Sequence, residues 1–324
     1  MRIDGLQFAN WSTTVFGQMR EGGLDAVHVT VAYHGGFRET VLGLEAWNRR
    51  FADPSNRIVK GLTADDVDRA RRSGCTAIVL GLQNPSPIED DLGLVEILHT
   101  LGIRFMQLTY NNQSLLAGGC QEVMDGGITR MGRQVIREMN RVGMVVDMSH
   151  SGERSTLEAV DLSTRPIAIT HANPDSWAPA RRNKSDDVIR AVIGGGGMLG
   201  FSLYPHHLRR GSECTLGEFC EMIARTAEVH GTRHLGIGSD LCQGQPDSVV
   251  RWMRNGRWCR ETDGADSTAK PRFPAMPTWF RDNRDFRTIE TGLRDIGLSG
   301  EEVAGIMGEN WYRFFQQSFS PVPS

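Results

Sequence analysis

The segment MVVDMSH, residues 144–150, places an acid, a hydroxyl and a histidine directly after a run of apolar residues. A second segment, RPIAITH at 165–171, repeats this pattern and ends at His171. Short apolar runs of this kind are typical of buried strands. A buried strand that ends in polar side chains indicates that something binds or reacts at its tip.

Working outward from these two segments, short apolar runs alternate with stretches of helical period along most of the chain. The predicted strands are 2–8, 24–32, 76–82, 103–110, 143–150, 166–171, 197–203 and 234–240. Eight strands in strict alternation with helices predict a TIM-type (β/α)8 barrel, formed as one domain over residues 1–324. An open, doubly wound sheet is the alternative, although no GxGxxG motif follows the first strand to support a dinucleotide site.

The segment 243–285 interrupts this alternation after the eighth strand and is rich in Trp, Arg, Pro and Gly. It is either a surface excursion or a lid or wall over the strand tips. We favour the lid or wall, because Trp252, Trp258 and Trp279 are costly to leave in water. Helices over 285–317 are predicted to complete the barrel.

Composition excludes several classes of protein. The net charge of −3 gives no indication of nucleic-acid or anionic-membrane binding, and no apolar run approaches the length of a membrane span. The N-terminus enters a strand-like pattern without a signal-peptide pattern. Six scattered cysteines without CxxC spacing indicate reduced thiols, and hence a cytoplasmic location.

Three side chains at the predicted strand tips are candidates for metal chemistry: His150, His171 and Asp240. A lone histidine at a strand end is usually a hydrogen-bonded structural residue. Two on consecutive strands, with a carboxylate on a later strand, instead match the ligands of a divalent ion with open positions for water. Asp240 could ligate the metal, act as acid/base on the attacking water, or simply cap the following segment.

A basic segment, PARRNKSDDVIRAV at 179–192, follows the sixth strand. It is either a solvated loop or the source of an arginine that pairs with a substrate carboxylate. His206 and His207, just beyond the seventh strand, are equally consistent with a pocket position and an exposed one.

Five segments together resemble the membrane (renal) dipeptidase family of the amidohydrolase superfamily: VDMSHSGERST, AITHANP, ARRNKSDD, LGIGSDLCQG and MGENWYRFF. The resemblance covers nearly the whole chain. It implies that His150 and His171 are metal ligands, that Arg182 with Asn183 binds the substrate carboxylate, and that Asp240 is the catalytic acid/base. It also implies a homodimer acting on a small-molecule substrate.

The chain departs from that family at the other half of the site. Leu6 and Phe8 stand where the family has a histidine and an aspartate that bind metal. Gln83 replaces the bridging glutamate, and Tyr110 replaces a histidine that polarises the scissile carbonyl. The usual two-metal centre is therefore not expected.

Three hypotheses follow from these departures. In the favoured one, a single divalent ion, expected to be zinc, binds His150, His171 and Asp240, and the protein hydrolyses an amide or dipeptide-like substrate while Tyr110 donates a hydrogen bond to the developing oxyanion. In the second, the barrel binds a small carboxylated ligand without a tightly bound metal. In the third, the site performs another reaction on such a molecule. The apolar first-strand tip suggests that the substrate presents an apolar or alkylated group there.

Overall fold

The computed structural model describes residues 1–256 and 271–319. Nine parallel strands form its sheet: β1 Ile3–Gln7, β2 Ala26–Ala32, β3 Ile58–Lys60, β4 Thr76–Leu82, β5 Ile103–Gln107, β6 Val145–Asp147, β7 Ala168–Ile169, β8 Met198–Phe201 and β9 Leu235–Ile237. The strand order is β2-β1-β9-β8-β7-β6-β5-β4-β3, and β2 also pairs with β4. That additional pairing closes eight strands into a ring, so the predicted TIM-type barrel is confirmed.

Strand β3 is the element that the sequence-based prediction missed. It pairs in parallel with the first half of β4, from Thr76 to Ile78, outside the ring of eight. Three residues are too few to give a clear apolar period, which explains why the pattern did not reveal it.

Helices surround the ring, and their bounds are α1 Thr13–Glu21, α2 Phe37–Ala52, α3 Ala64–Arg72, α4 Gly93–Thr100, α5 Arg130–Val142, α6 Glu153–Leu162, α7 Asp186–Gly194, α8 Leu216–His230, α9 Val250–Asn255, α10 Phe286–Asp295, α11 Gly300–Ala304 and α12 Asn310–Ser318. Local sequence sets their ends. Thr63 caps α3, since its hydroxyl accepts from the backbone N–H of Asp66 while the Asp66 carboxylate accepts from the backbone N–H of Thr63. No helix in the described part of the chain is long and apolar enough to cross a membrane.

The floor of the barrel is filled by Trp311, a fully buried side chain of α12. Its indole nitrogen donates to the carbonyl of Ile237 at 3.0 Å. Three strand glycines make room for the ring: a Cβ on Gly5 would lie 2.7 Å, on Gly200 3.1 Å and on Gly236 2.4 Å from indole atoms. Glycine is used at these positions because the packing leaves no room for a side chain.

The predicted segment 243–285 lies partly outside the described residues, since 257–270, with Trp258, are not described. Before that gap lies α9, and after it the indole of Trp279 donates to the carbonyl of Cys214 at 2.8 Å. The lid or wall thus stays a prediction for the segment as a whole.

Candidate active site

Two histidines that closely follow β6 and β7 meet at the mouth of the barrel. The Nε2 atoms of His150 and His171 are 3.1 Å apart, and both rings are buried. Parallel strands place their carboxyl ends at one rim, so neighbouring strands with the same tip residue bring these side chains together.

Neighbouring polar groups fix which ring nitrogen of His150 carries the proton. Its Nδ1 lies 2.7 Å from Oδ1 of Asn111, whose amide nitrogen donates to the carbonyl of Arg254 at 3.1 Å. Because that second bond sets the orientation of the amide, Asn111 presents an acceptor and His150 must donate from Nδ1. The Nε2 atom of the neutral ring then carries a lone pair.

The same conclusion holds for His171. Its Nδ1 lies 2.8 Å from the hydroxyl of Thr170, which itself donates to the Asp147 carboxylate at 2.6 Å. The hydroxyl of Ser149 also donates to Asp147, at 2.6 Å. With its one proton directed to the carboxylate, Thr170 accepts from Nδ1 of His171. Two lone pairs therefore face each other across 3.1 Å.

Burial and nearby positive charge keep both histidine rings neutral. Burial first, and then the positive charge of Arg182, hold the pKa values of His150 and His171 well below their usual range. Neutral imidazoles with their Nδ1 protons engaged are the form in which histidine binds metals. Two ligand nitrogens in a tetrahedral zinc site lie about 3.3 Å apart, given Zn–N bonds of about 2.0–2.1 Å. The pair therefore fits a divalent metal ion.

Asp240 is the third ligand in the predicted set. Within the described residues, no group of three or more His, Cys, Asp or Glu side chains could hold a metal ion. Asp240 adopts a left-handed backbone conformation, φ 55°, after β9, and its N–H donates to the carbonyl of Leu6 at 3.0 Å. The residue lines the same cavity as His150, and its ligation of a metal together with the histidines stays a prediction.

The environment of Asp240 suits proton transfer. Burial raises the pKa of its carboxyl to about 7, with Arg182 opposing the shift and Asp4 adding to it. The side chain remains partly accessible from the cavity. A carboxyl with a pKa near neutrality can both accept and return a proton at physiological pH.

Tyr110 lies directly over the histidine pair. Its ring stacks on that of His150, with centroids 4.0 Å apart and planes inclined by 26°. Burial raises the pKa of the Tyr110 hydroxyl well above its usual value, so the group stays protonated and can donate a hydrogen bond. This is the position the sequence suggested for an oxyanion donor.

Arg182 and Asn183 have different places in the site. Arg182 is buried in the cavity wall, where its Nη1 donates to the carbonyl of Ser149 and its Nη2 to that of His171 at 2.7 Å. Its Nε has no partner among the described residues. Asn183 lies away from this cavity and binds the backbone carbonyls of Ala178 and His207, at 2.7 and 3.0 Å. Its amide is thus occupied in holding the loop.

A cavity of about 190 Å³ opens beside His150. Its lining residues are Tyr33, Tyr110, Asn111, Gln121, His150, Ala180, Arg181, Arg182, Tyr204, His206, His207, Asp240, Cys242, Met253 and Arg254. The sequence pattern did not indicate that Asn111 and Arg254 belong to the site. Both lie outside the apolar runs that marked the strand tips, so no periodic signal pointed to them.

Leu6, Phe8 and Gln83, the departures from the resembled family, contribute to packing and hydrogen bonding in the barrel. Leu6 is fully buried, and Phe8 packs edge-on against Tyr33 with centroids 4.7 Å apart. The amide nitrogen of Gln83 donates to the Thr30 hydroxyl at 2.7 Å and to the Tyr33 hydroxyl at 3.1 Å. Tyr33 lines the cavity, whereas Leu6 and Phe8 are not among its lining residues, so the predicted contact of Leu6 and Phe8 with an apolar substrate group finds no support in this lining.

Comparison with known families agrees with this geometry. The model of the membrane dipeptidase family, peptidase family M19, matches residues 7–252. The dipeptidase tcpJ of Claviceps purpurea (strain 20.1) is 30% identical over 296 residues, which cover 90% of this chain and 62% of that protein. The chain thus spans less than two thirds of that relative's length.

Solved structures share the whole fold. A crystal structure described as an amidohydrolase from Pseudomonas aeruginosa is 31% identical, with a TM-score of 0.92 over 98% of this chain and 96% of that one. A metallopeptidase from Rhodobacter sphaeroides, bound to a phosphinate mimic of the dipeptide L-Ala-D-Ala, is 18% identical with a TM-score of 0.79 over 98% and 99% of the two chains. At that identity, the second likeness supports the fold alone.

Proposed function

Because the chain belongs to the membrane dipeptidase family, peptidase family M19, we propose that it is a metal-dependent hydrolase of an amide bond in a small, dipeptide-like substrate bearing a carboxylate. The observation that carries the proposal is that the Nε2 atoms of His150 and His171 lie 3.1 Å apart, each with a lone pair. In each ring, a hydrogen bond from Nδ1 fixes the tautomer that leaves this lone pair on Nε2. Like lone pairs repel at this distance unless a cation lies between them.

His150 and His171 would hold one divalent ion, which we propose to be zinc, with the remaining positions open to water or substrate. When bound, such an ion polarises a carbonyl and makes water more acidic. Asp240 takes a proton from the attacking water and passes it to the leaving nitrogen. Tyr110 donates its hydroxyl to the developing oxyanion, and Arg182 holds the substrate carboxylate.

Elemental analysis of protein purified without chelator tests the metal. We expect close to one divalent ion per chain, and loss of that ion in His150→Ala and His171→Ala. A screen of dipeptides then tests the activity. It includes D-configured C-terminal residues, since a relative of the same fold binds a mimic of L-Ala-D-Ala. Metal-loaded protein that hydrolyses no dipeptide or related amide would refute the proposed reaction.

One observation favours a second candidate function. The described residues supply only two nitrogen ligands and no third His, Cys, Asp or Glu. The barrel could then bind a small carboxylated ligand through Arg182 without a tight metal. Metal-free protein that binds an N-acetylated amino acid in calorimetry, with no hydrolysis after zinc is added, would support this candidate.

We further propose a cytoplasmic homodimer. The homodimer rests on the family resemblance. The location rests on the cysteines, since Cys75, Cys120, Cys214, Cys220 and Cys242 are all free thiols in the described structure. Size-exclusion chromatography with light scattering tests the oligomeric state.

A further inference from the structure

The cavity beside His150 has an excess of positive charge. Arg181, Arg182 and Arg254 line it, whereas Asp240 is its one acidic lining residue. Across residues 1–256 and 271–319, no ion pair joins any of the three arginines to a carboxylate. A single substrate carboxylate at Arg182 compensates only part of this excess.

Arg254 is held in the wall by neutral groups. One of its terminal nitrogens donates to the Tyr204 hydroxyl at 2.8 Å and to the backbone carbonyl of Arg272 at 3.4 Å. Burial raises the pKa of that hydroxyl above its usual range, so Tyr204 accepts the bond without neutralising the guanidinium. The side chain is only partly buried, and no hydrogen bond from its other guanidinium nitrogens is found within residues 1–256 and 271–319.

His207 adds a neutral donor to the same cavity. Its Nδ1 lies 2.8 Å from the hydroxyl of Ser202, which already accepts from the backbone N–H of Tyr204 at 3.2 Å. The Ser202 hydroxyl has a second lone pair, so it can either donate its proton to Nδ1 or accept the proton of Nδ1. In the first arrangement the neutral His207 ring carries its proton on Nε2, where it can donate to an anion in the cavity.

We propose that Arg254 and His207 form a second anion-binding subsite, and that the substrate is an amide whose C-terminal residue is acidic, Asp or Glu. The main-chain carboxylate binds Arg182 and the side-chain carboxylate binds the second subsite. The identity of the bond cleaved rests on the proposed function, whereas the preference for two negative charges does not.

The test compares Ala-Glu with Ala-Gln, with the C-terminal residue in both configurations. The two dipeptides have nearly the same shape and differ by one charge. We expect kcat/KM to be at least about tenfold higher for Ala-Glu, as is typical of a charge-assisted hydrogen bond. Arg254→Gln should bring the ratio close to one. Arg254→Lys, which keeps the charge, should preserve part of it, and Arg225→Gln on the exposed face of α8 serves as the matched control with an unchanged ratio.

Calorimetry separates this inference from the proposed function. N-acetylglutamate should bind at least about tenfold more tightly than N-acetylglutamine, and Arg254→Gln should remove that difference. If neither dipeptide is hydrolysed but the binding preference is present, the proposed function fails and the second subsite stands. Equal kcat/KM for the two dipeptides together with equal binding of the two acetylated ligands overturns the inference, as does a preference that Arg254→Gln leaves intact.

Discussion

Gly238, just after β9, is the position where one added methyl group should disrupt the site most directly. A Cβ there would lie 1.6 Å from the carbonyl oxygen of Thr170, the residue before His171. An ordinary carbon–oxygen contact is about 3.2 Å or more, so Gly238→Ala requires a displacement of about 1.6 Å. Both groups belong to the barrel wall, and no flexible side chain can absorb the shift.

Two consequences follow from Gly238→Ala. Overpacking of a closely packed wall costs about 3 kcal/mol, which lowers Tm by roughly 5 °C in a chain of this size. Displacing His171 also spoils the 3.1 Å geometry of the ligand pair, whereas metal sites tolerate only about 0.2 Å. Scanning calorimetry and elemental analysis measure the two effects. Gly194→Ala, where a Cβ would meet nothing within 4 Å, is the control. Wild-type Tm and metal content in Gly238→Ala would refute this reasoning.

Three further predictions concern single side chains. Asp240→Asn should lower kcat by about 10²-fold or more while substrate binding is retained. In the wild type, kcat/KM should rise with pH through about 7 as the Asp240 carboxyl ionises. A flat pH profile of kcat/KM would contradict the role of Asp240 as base. Glycine tolerates the φ of 61° at position 111, so Asn111→Gly should remove only the side chain. The loss of its hydrogen bond to Nδ1 of His150 should weaken metal binding about 10–100-fold. An unchanged metal affinity in a competition titration would contradict this. Burial lowers the pKa of His28 to about 4 from 6.5, so its contribution to stability is present above pH 6.5 and is lost as the pH falls towards 4. Between pH 6.5 and 4, the free energy of unfolding measured with urea should fall by up to about 3 kcal/mol less in His28→Gln than in the wild type. An equal fall in the two proteins would rule this explanation out.

The sequence predicted the barrel because its eight long apolar runs are buried on both faces, and burial of this kind leaves a clear pattern. It also predicted the histidine pair, since each histidine stands at the end of such a predicted run. The prediction for 166–171 was longer than β7 itself, which spans only Ala168–Ile169. Beyond Ile169 the backbone leaves the ladder to place Thr170 and His171 at the rim.

The groups that orient the pair could not be predicted from periodicity. Asn111 acts on His150 from a loop 39 residues away, and its role depends on a left-handed backbone and on the carbonyl of Arg254. For Asn183, in contrast, the sequence suggested a role that its contacts do not support. Its motif suggested substrate binding, but only the fold reveals that its amide is taken by backbone groups.

The position of Trp311 has a consequence for the order in which the protein can be assembled. The last strand of the ring ends at Ile237, 74 residues before the indole that occupies the floor. At about 5–20 residues per second, a ribosome needs roughly 4–15 s to add that stretch. A barrel that closed during this interval would have an empty space the size of an indole between Gly5, Gly200 and Gly236. We therefore expect the barrel to reach its final packing only after α12 has been synthesised.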